Sequence, residues 1–254
     1  MSWFNRFTTP RRSVLSISAE KDFEREKKKL EILDERSKKL YKDMKRCTEA
    51  AAALSKCESK MSQDLVASSL CQSEPDLLLL VEDWNAAVVR LDLLMQEMNT
   101  NAQKAVVEPM KKFNSVFPSV QSAIKKREQS LQEYNKCQSK VEKYQDRERT
   151  GPTVVKLENA KKALNAAKEE FEYLNSQLME DMPRLYEGRM EYFRPCFQAL
   201  IRSQVAYFTE AFKIYTELSL QFNKVTEVPP DEKYDTSLQQ KLSEIKSLSI
   251  VADD

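Results

Sequence analysis

The sequence predicts an all-α protein built from a few very long helices. Only two of its 254 residues are glycine, whereas an α/β enzyme of this size would contain roughly 18 at average usage. Charged residues make up 32% of the chain, and they surround apolar residues that recur every three or four positions. Sheets, phosphate loops and tight turns draw on glycine, so this composition favours helices with a thin apolar seam over one globular core.

The first long helix is predicted from about residue 20 to about residue 69. Its apolar seam advances by three and four residues without a break, which is the heptad spacing of helices that pack against helices. Lysine and glutamate fill the other faces. The members of the seam are Leu30, Leu33, Ser37, Leu40, Met44, Cys47, Ala51, Leu54, Glu58, Met61 and Leu65.

A second helix is predicted from about residue 75 to about residue 149, and its apolar seam continues past Pro109 and Pro118. A proline inside a helix removes a hydrogen bond and clashes with the preceding turn, which bends the helix. We therefore expect these two prolines to bend the second helix without ending it.

Thr150-Gly151-Pro152 predicts one sharp turn, and a third helix follows to about residue 225. Pro183 and Pro195 are expected to bend that helix in turn. Helices two and three would each exceed about 100 Å at ~1.5 Å per residue. Because the chain reverses between them, they are predicted to be antiparallel neighbours.

These features divide the chain into three parts. Residues 1–19 form an N-terminal arm, residues 20–225 form the helical domain, and residues 226–254 form a C-terminal tail. Leu238, Leu242, Ile245 and Leu248 predict one short amphipathic helix in the tail.

The sequence disfavours catalysis. Histidine, the commonest general base and metal ligand, is absent, and no CxxC, GxSxG or phosphate-loop pattern occurs. We therefore expect no catalytic residue, no metal and no cofactor. The five scattered cysteines are expected to be free thiols in a reducing cytosol. No apolar run approaches the ~18 residues of a membrane-spanning helix.

The only candidate site is a concentration of positive charge in the middle of the chain. Residues 104–168 contain 15 basic and 7 acidic residues, although the whole chain has a net charge of only +1. Any single lysine here could be a solvated helix face, but the group predicts contact with an anionic membrane, where each cation contributes about 1 kcal/mol. Its candidates are Lys125, Lys126, Arg127, Lys136, Lys140, Lys143, Arg147, Arg149, Lys156, Lys161 and Lys162.

Two further sets of aromatic and apolar residues are candidates for binding. Trp3, Phe4 and Phe7 lie beside arginines in the arm, and either they form a short amphipathic helix that inserts into membrane or the arm touches nothing. The second set is expected to form the core of a dimer, since seams of this length would otherwise leave apolar surface exposed. Its members are Leu30, Trp84, Phe193, Phe197, Phe208 and Phe212.

Several segments resemble the amphiphysin and bridging-integrator branch of the BAR-domain family over roughly residues 20–225. They are Ile124-Lys125-Lys126-Arg127 with residues 131–134, residues 171–178, Met182-Pro183-Arg184-Leu185-Tyr186 with Arg189, and Val107-Glu108-Pro109-Met110 with Phe113.

The resemblance implies an elongated, curved homodimer, in which three kinked helices per chain form an antiparallel coiled-coil bundle of six helices. It implies that Lys125, Lys126, Arg127, Lys136 and Lys140 line the concave face and that the remaining cations lie toward the tip. It also implies binding to curved membrane and a role with actin in cytokinesis and septation. The chain ends before an SH3 domain could follow, so no SH3-mediated partner is expected.

Three functions therefore compete. The first is a dimeric cytoplasmic scaffold, peripheral on membrane and associated with the cytoskeleton, that binds anionic membrane and senses or generates its curvature. The second is an adaptor for actin-regulatory or Rho-family GTPase machinery that acts through its helical surface without bending membrane. The third, nucleic-acid binding, is disfavoured because acidic segments flank the basic one and no recognition motif accompanies it.

Overall fold

The computed structural model describes residues 15–225, 231–248 and 250, and all secondary structure in these ranges is helical. This confirms the predicted fold class. The helices are α1 (Ile17–Val66), α2 (Ser69–Gln72), α3 (Pro75–Ala102), a π-helix (Gln103–Val107), α4 (Glu108–Asn114), α5 (Phe117–Gln145), α6 (Gly151–Val225) and α7 (Asp231–Lys246).

The first helix begins slightly earlier than predicted, and part of its predicted seam is wrong. The Ser16 hydroxyl accepts the backbone N–H of Ala19 at 3.1 Å, so it caps the first turn of α1. Leu30 is buried, as the predicted seam requires, and so is Phe23, seven residues earlier, but Leu54 and Met61 are 57% and 55% exposed. The neighbouring serines at positions 55 and 62 face inward instead.

The predicted second helix is not continuous, so the expectation that Pro118 bends it without ending it was wrong. α4 ends at Asn114, and α5 begins at Phe117. The N–H of Ser115 closes the last turn of α4 on the carbonyl of Lys111 at 3.2 Å. Proline has no N–H to donate, and it is tolerated in a first helical turn, which is where Pro118 lies.

Pro109 also lies in a first turn, that of α4, but here no gap opens because the π-helix leads directly into α4. α6 runs unbroken through Pro183 and Pro195, so bending at Pro109, Pro183 and Pro195 stays a prediction. The reversal between α5 and α6 occupies residues 146–150, slightly before the predicted turn, and Gly151 is already helical.

The described residues 15–48 and residues 101–201 form one compact unit, here called unit 1. Phe23 and Leu30 of α1, Ile124 of α5 and Leu178 and Met182 of α6 form its main core. A second cluster joins Tyr134 and Cys137 of α5 to Ala167 of α6. α5 and α6 are therefore packed antiparallel neighbours within unit 1, as predicted.

Residues 49–100 and the described residues from 202 onward form a second compact unit, here called unit 2. Its core consists of Ala87 and Leu91 of α3 with Ala211, Ile214 and Leu218 of α6.

The α1 segment of unit 2 joins this core mainly through polar groups. Ser62 donates a hydrogen bond to Oδ1 of Asn85 at 2.8 Å, and Ser55 donates one to Asp92. The inner face of α1 in unit 2 is therefore small and polar.

The fold predicts different reactivities for the cysteines, which all lie in the described part of the chain. Cys47 and Cys57 are exposed, whereas Cys71 and Cys137 are buried. Burial raises the pKa of the Cys137 thiol, and the negative charge of Glu133 raises it further. Because the thiolate is the reactive species, we expect iodoacetamide to alkylate Cys137 at least about tenfold more slowly than Cys47 or Cys57.

Peptide mass spectrometry after timed alkylation of the native protein would measure these rates. Denatured protein, in which all five thiols are accessible, is the control. Equal rates at Cys137 and Cys57 in the native protein would contradict the packing of α5 against α6.

Candidate functional site

The predicted cations lie on the two helices that flank the reversal in unit 1. α5 and α6 pack through Tyr134, Cys137, Leu164 and Ala167, so the basic runs before and after the reversal belong to one helical hairpin. Apart from Arg127, every predicted cation is exposed or half-exposed. These residues, here called the basic surface, are Lys125, Lys126, Lys136, Lys140, Lys143, Arg147, Arg149, Lys156, Lys161 and Lys162.

Most of the positive charge on the basic surface is not neutralised by neighbouring carboxylates. Lys136 pairs with Glu133 at 3.3 Å, and Lys161 pairs with Glu158 at 3.1 Å. Both are exposed pairs, which contribute little to stability and exchange readily with other partners. Within the described ranges, the other eight cations form no ion pair with a carboxylate. The hairpin therefore presents cations that an external anion can engage.

Arg127 departs from the prediction, because its side chain is only 1% exposed. Its Nη2 and Nη1 atoms donate to the two carboxylate oxygens of Glu20 at 2.6 and 3.1 Å, and its Nε donates to Oδ1 of Asn175 at 2.9 Å.

The guanidinium of Arg127 also lies 3.6 Å from the ring centroid of Phe23 and 5.1 Å from that of Phe171. A guanidinium that is enclosed in this way and hydrogen-bonded through all three of its nitrogens cannot reach lipid headgroups. Arg127 instead holds α1, α5 and α6 together, so the prediction that it contacts membrane was wrong.

The end of α6 has two apolar faces in unit 2. The inner stripe consists of Tyr207, Ala211, Ile214 and Leu218, which pack on α3. The outer stripe consists of Val205, Phe208, Phe212 and Tyr215, and its members are exposed, Phe208 by 64% and Phe212 by 73%. The steps of three, four and three residues along the outer stripe are those of a helix-packing seam. Large aromatic residues exposed together in this way mark an interaction surface.

The other predicted dimer residues differ in how far their own chain covers them. Leu30 is buried in the core of unit 1, so it offers no surface to a partner and the prediction for it was wrong. Phe193 is half-buried, and its ring centroid lies 4.7 Å from that of Phe113 and 6.0 Å from that of Phe197. Trp84 packs partly against the core of unit 2.

The predicted insertion residues Trp3, Phe4 and Phe7 lie outside the described residues, so their role stays a prediction. Among the helices of the described ranges, none has an apolar stretch that could span a bilayer.

A helical chain with a cationic hairpin and an exposed aromatic stripe has the features of a dimerising membrane scaffold. The chain belongs to the BAR domain family, which it matches over residues 16–224. BAR domains are non-catalytic scaffolds that dimerise and bind membranes. The predicted membership of this family is therefore confirmed.

Named relatives refine this placement. The chain is 45% identical to Bridging integrator 3 of Mus musculus, with 100% of both chains covered. It is 27% identical to protein hob3 of Schizosaccharomyces pombe, with 92% of this chain and 88% of hob3 covered.

The amphiphysin BAR domain from Drosophila has the same fold, with a TM-score of 0.69, 20% sequence identity, and 82% of this chain and 93% of that chain covered. The predicted branch, amphiphysin and the bridging integrators, is thus confirmed as well.

Proposed function

We propose that this protein is a homodimeric membrane scaffold that binds anionic lipid through the basic surface and senses or generates curvature. The observation that carries the proposal is the run of unpaired cations on the α5–α6 hairpin, from Lys125 and Lys126 to Arg149 and Lys156. Cations near an anionic leaflet contribute about 1 kcal/mol each. Two protomers double their number, so binding needs no insertion into the bilayer.

The outer stripe supports the dimer. Val205, Phe208, Phe212 and Tyr215 leave apolar surface exposed at heptad spacing, and a second copy of the same helix supplies a matching surface. An interface of this kind is self-complementary about a twofold axis, as in most homodimers.

Relatives support a link to the cytoskeleton. A Candida albicans protein that is 30% identical over 155 residues is named regulator of cytoskeleton and endocytosis. We infer that the scaffold acts at membranes where actin is organised, including those of cytokinesis and septation. The alternative is an adaptor that recruits Rho-family GTPase machinery through its helical surface and does not bend membrane.

The central test is co-sedimentation of the double variant Lys125→Glu/Lys126→Glu with phosphatidylserine vesicles. We expect vesicle affinity to fall by at least about 30-fold, because two cations worth about 1 kcal/mol each are lost. Wild-type binding should also weaken with added salt, since exposed charges are screened. Arg127 is left unchanged because its substitution would destabilise the packing of the helices that carry the basic surface.

The matched control is Lys241→Glu/Lys246→Glu in α7, which makes the same change in net charge outside the residues that match the family. It should bind vesicles as the wild type does. Undiminished binding by the Lys125/Lys126 variant would exclude this face as the membrane contact. Absence of vesicle binding by the wild type, together with capture of a GTPase regulator, would favour the adaptor.

A further inference from the structure

A groove in unit 1 holds a second group of cations that the basic surface does not include. It lies between α1 and the segment formed by the π-helix and α4, and its volume is about 540 Å³. Tyr41 and Lys45 line it from α1, and Gln103, Glu108, Lys111 and Lys112 line it from the opposite side. Its volume lies within the range of about 300–1,000 Å³ that is typical of small-molecule sites.

The local backbone explains why these side chains converge. Tyr41 and Lys45 are four residues apart, so they share one face of α1. On the other side, the π-helix from Gln103 to Val107 runs directly into α4. A π-helix inserts one residue into a helical turn, and such turns are frequent at functional sites.

Several polar groups of the groove have no partner in the described part of the chain. They are the hydroxyl of Tyr41, the side-chain amide of Gln103 and the ammonium groups of Lys111 and Lys112. Glu108 precedes Lys111 by three residues and Lys112 by four, which is the spacing of a helical ion pair. Neither pair forms in the structure, so both lysines remain available to a ligand.

The charge of the groove selects the class of ligand. Lys111 and Lys112 bring two positive charges without a carboxylate partner in the described part of the chain, and Glu108 brings one negative charge, so the groove keeps an excess of positive charge. Ammonium groups bind phosphate oxygens through charge-assisted hydrogen bonds. The Glu108 carboxylate can accept hydrogen bonds only from donors such as hydroxyl groups. A ligand that combines phosphates with free hydroxyls satisfies both requirements.

We propose that this groove binds a multiply phosphorylated polyol of the inositol phosphate class. Lys111 and Lys112 hold the phosphates, Glu108 accepts from a ring hydroxyl, and Tyr41 and Gln103 complete the site as neutral donors. The same chemistry occurs in soluble inositol phosphates and in the headgroups of phosphoinositide lipids. The site is separate from the basic surface and does not depend on the function proposed for it.

Isothermal titration calorimetry with myo-inositol trisphosphate tests the groove directly. We expect saturable binding to the full-length protein with a dissociation constant on the order of 10 µM. The variant Lys111→Ala/Lys112→Ala should bind at least about tenfold more weakly, because it loses charge-assisted hydrogen bonds. Inorganic phosphate, which lacks the polyol and carries a single phosphate, should bind far more weakly than the trisphosphate.

The matched control is Lys125→Ala/Lys126→Ala, which removes the same charge from the basic surface and should leave trisphosphate binding unchanged. Circular dichroism would verify that both variants keep wild-type helicity. Equal weakening in the two variants would reduce the effect to net charge and overturn the proposal. Absence of saturable trisphosphate binding to the wild type would overturn it as well.

A second arm distinguishes the two sources of the ligand. Vesicles that contain phosphatidylinositol bisphosphate are compared with phosphatidylserine vesicles of equal surface charge. A preference for the bisphosphate that the Lys111/Lys112 variant loses, while it keeps its binding to phosphatidylserine vesicles, assigns the groove to a lipid headgroup. Equal binding to both vesicle types, together with saturable trisphosphate binding in solution, assigns it to a soluble ligand. Either result supports the site.

Discussion

The variant Phe208→Glu/Phe212→Glu is expected to be a monomer under conditions in which the wild type is a dimer. Both phenylalanines belong to the outer stripe, and their own chain covers little of either ring. Burying one such side chain contributes roughly 2 kcal/mol. A twofold dimer buries four of these side chains, two from each protomer. The double variant therefore loses roughly 8 kcal/mol of dimerisation free energy, before the repulsion between the new carboxylates is counted.

Light scattering coupled to size-exclusion chromatography would measure the mass of each variant. Val155→Glu is the control, since Val155 is also an exposed apolar residue of α6 but lies near the reversal in unit 1. It should elute as a dimer. If the double variant remained dimeric, the outer stripe would not be the interface, and the exposed aromatic residues would need another partner.

The substitution Arg127→Ala should produce a large loss of stability in a single chain. It removes a two-pronged ion pair with Glu20, a hydrogen bond to Asn175 and a guanidinium packed on the Phe23 ring. Removing one partner of a buried ion pair costs about 3–5 kcal/mol. We expect the lower end, about 3 kcal/mol, because Glu20 keeps a side-chain exposure of 41% and can be rehydrated.

For a domain of this size, a loss of about 3 kcal/mol lowers the melting temperature by roughly 10 °C. Thermal unfolding followed by circular dichroism would measure it. The control is Lys126→Ala one position earlier, an exposed residue whose loss should change stability by no more than about 0.5 kcal/mol. A wild-type melting temperature for the Arg127 variant would mean that the buried contacts of this arginine do not stabilise the packing of α1, α5 and α6.

The helical periodicity of the sequence predicted the fold class, but it could not say which apolar stripe each chain covers by itself. In the second half of α1, the heptad pattern selected Leu54 and Met61, which are exposed. The side chains that face α3 are Ser55 and Ser62, which form hydrogen bonds to Asp92 and Asn85. An apolar stripe that packs against a second protomer has the same spacing as one that packs within its own chain, so periodicity alone does not distinguish them.

The basic surface was predictable as a group, since it follows from counting charges along the chain. The burial of Arg127 was not predictable in that way, because charged residues are rarely buried unless they are paired. Its partners Glu20 and Asn175 lie 107 and 48 residues away in sequence. One signal was available in the sequence, because Arg127 lies three residues after the apolar Ile124 and therefore on the same face of a helix.

The groove beside the π-helix could not be predicted from the sequence. Tyr41 and Gln103 come from segments separated by tens of residues, and only their packing brings them to one cavity. A π-helix also has no recognisable composition, and the segment Gln103–Val107 reads as ordinary helix.

The small, polar inner face of α1 in unit 2 has a consequence for how the protein persists in a cell. Ser55 and Ser62 are the only buried side chains between residues 49 and 66, so little hydrophobic free energy holds this segment to its own chain. Under the proposed dimer, mass action sets its stability, and each tenfold dilution removes about 1.4 kcal/mol. Dilute protomers would then fray along this segment and become substrates for proteases, so that synthesis rate would govern abundance.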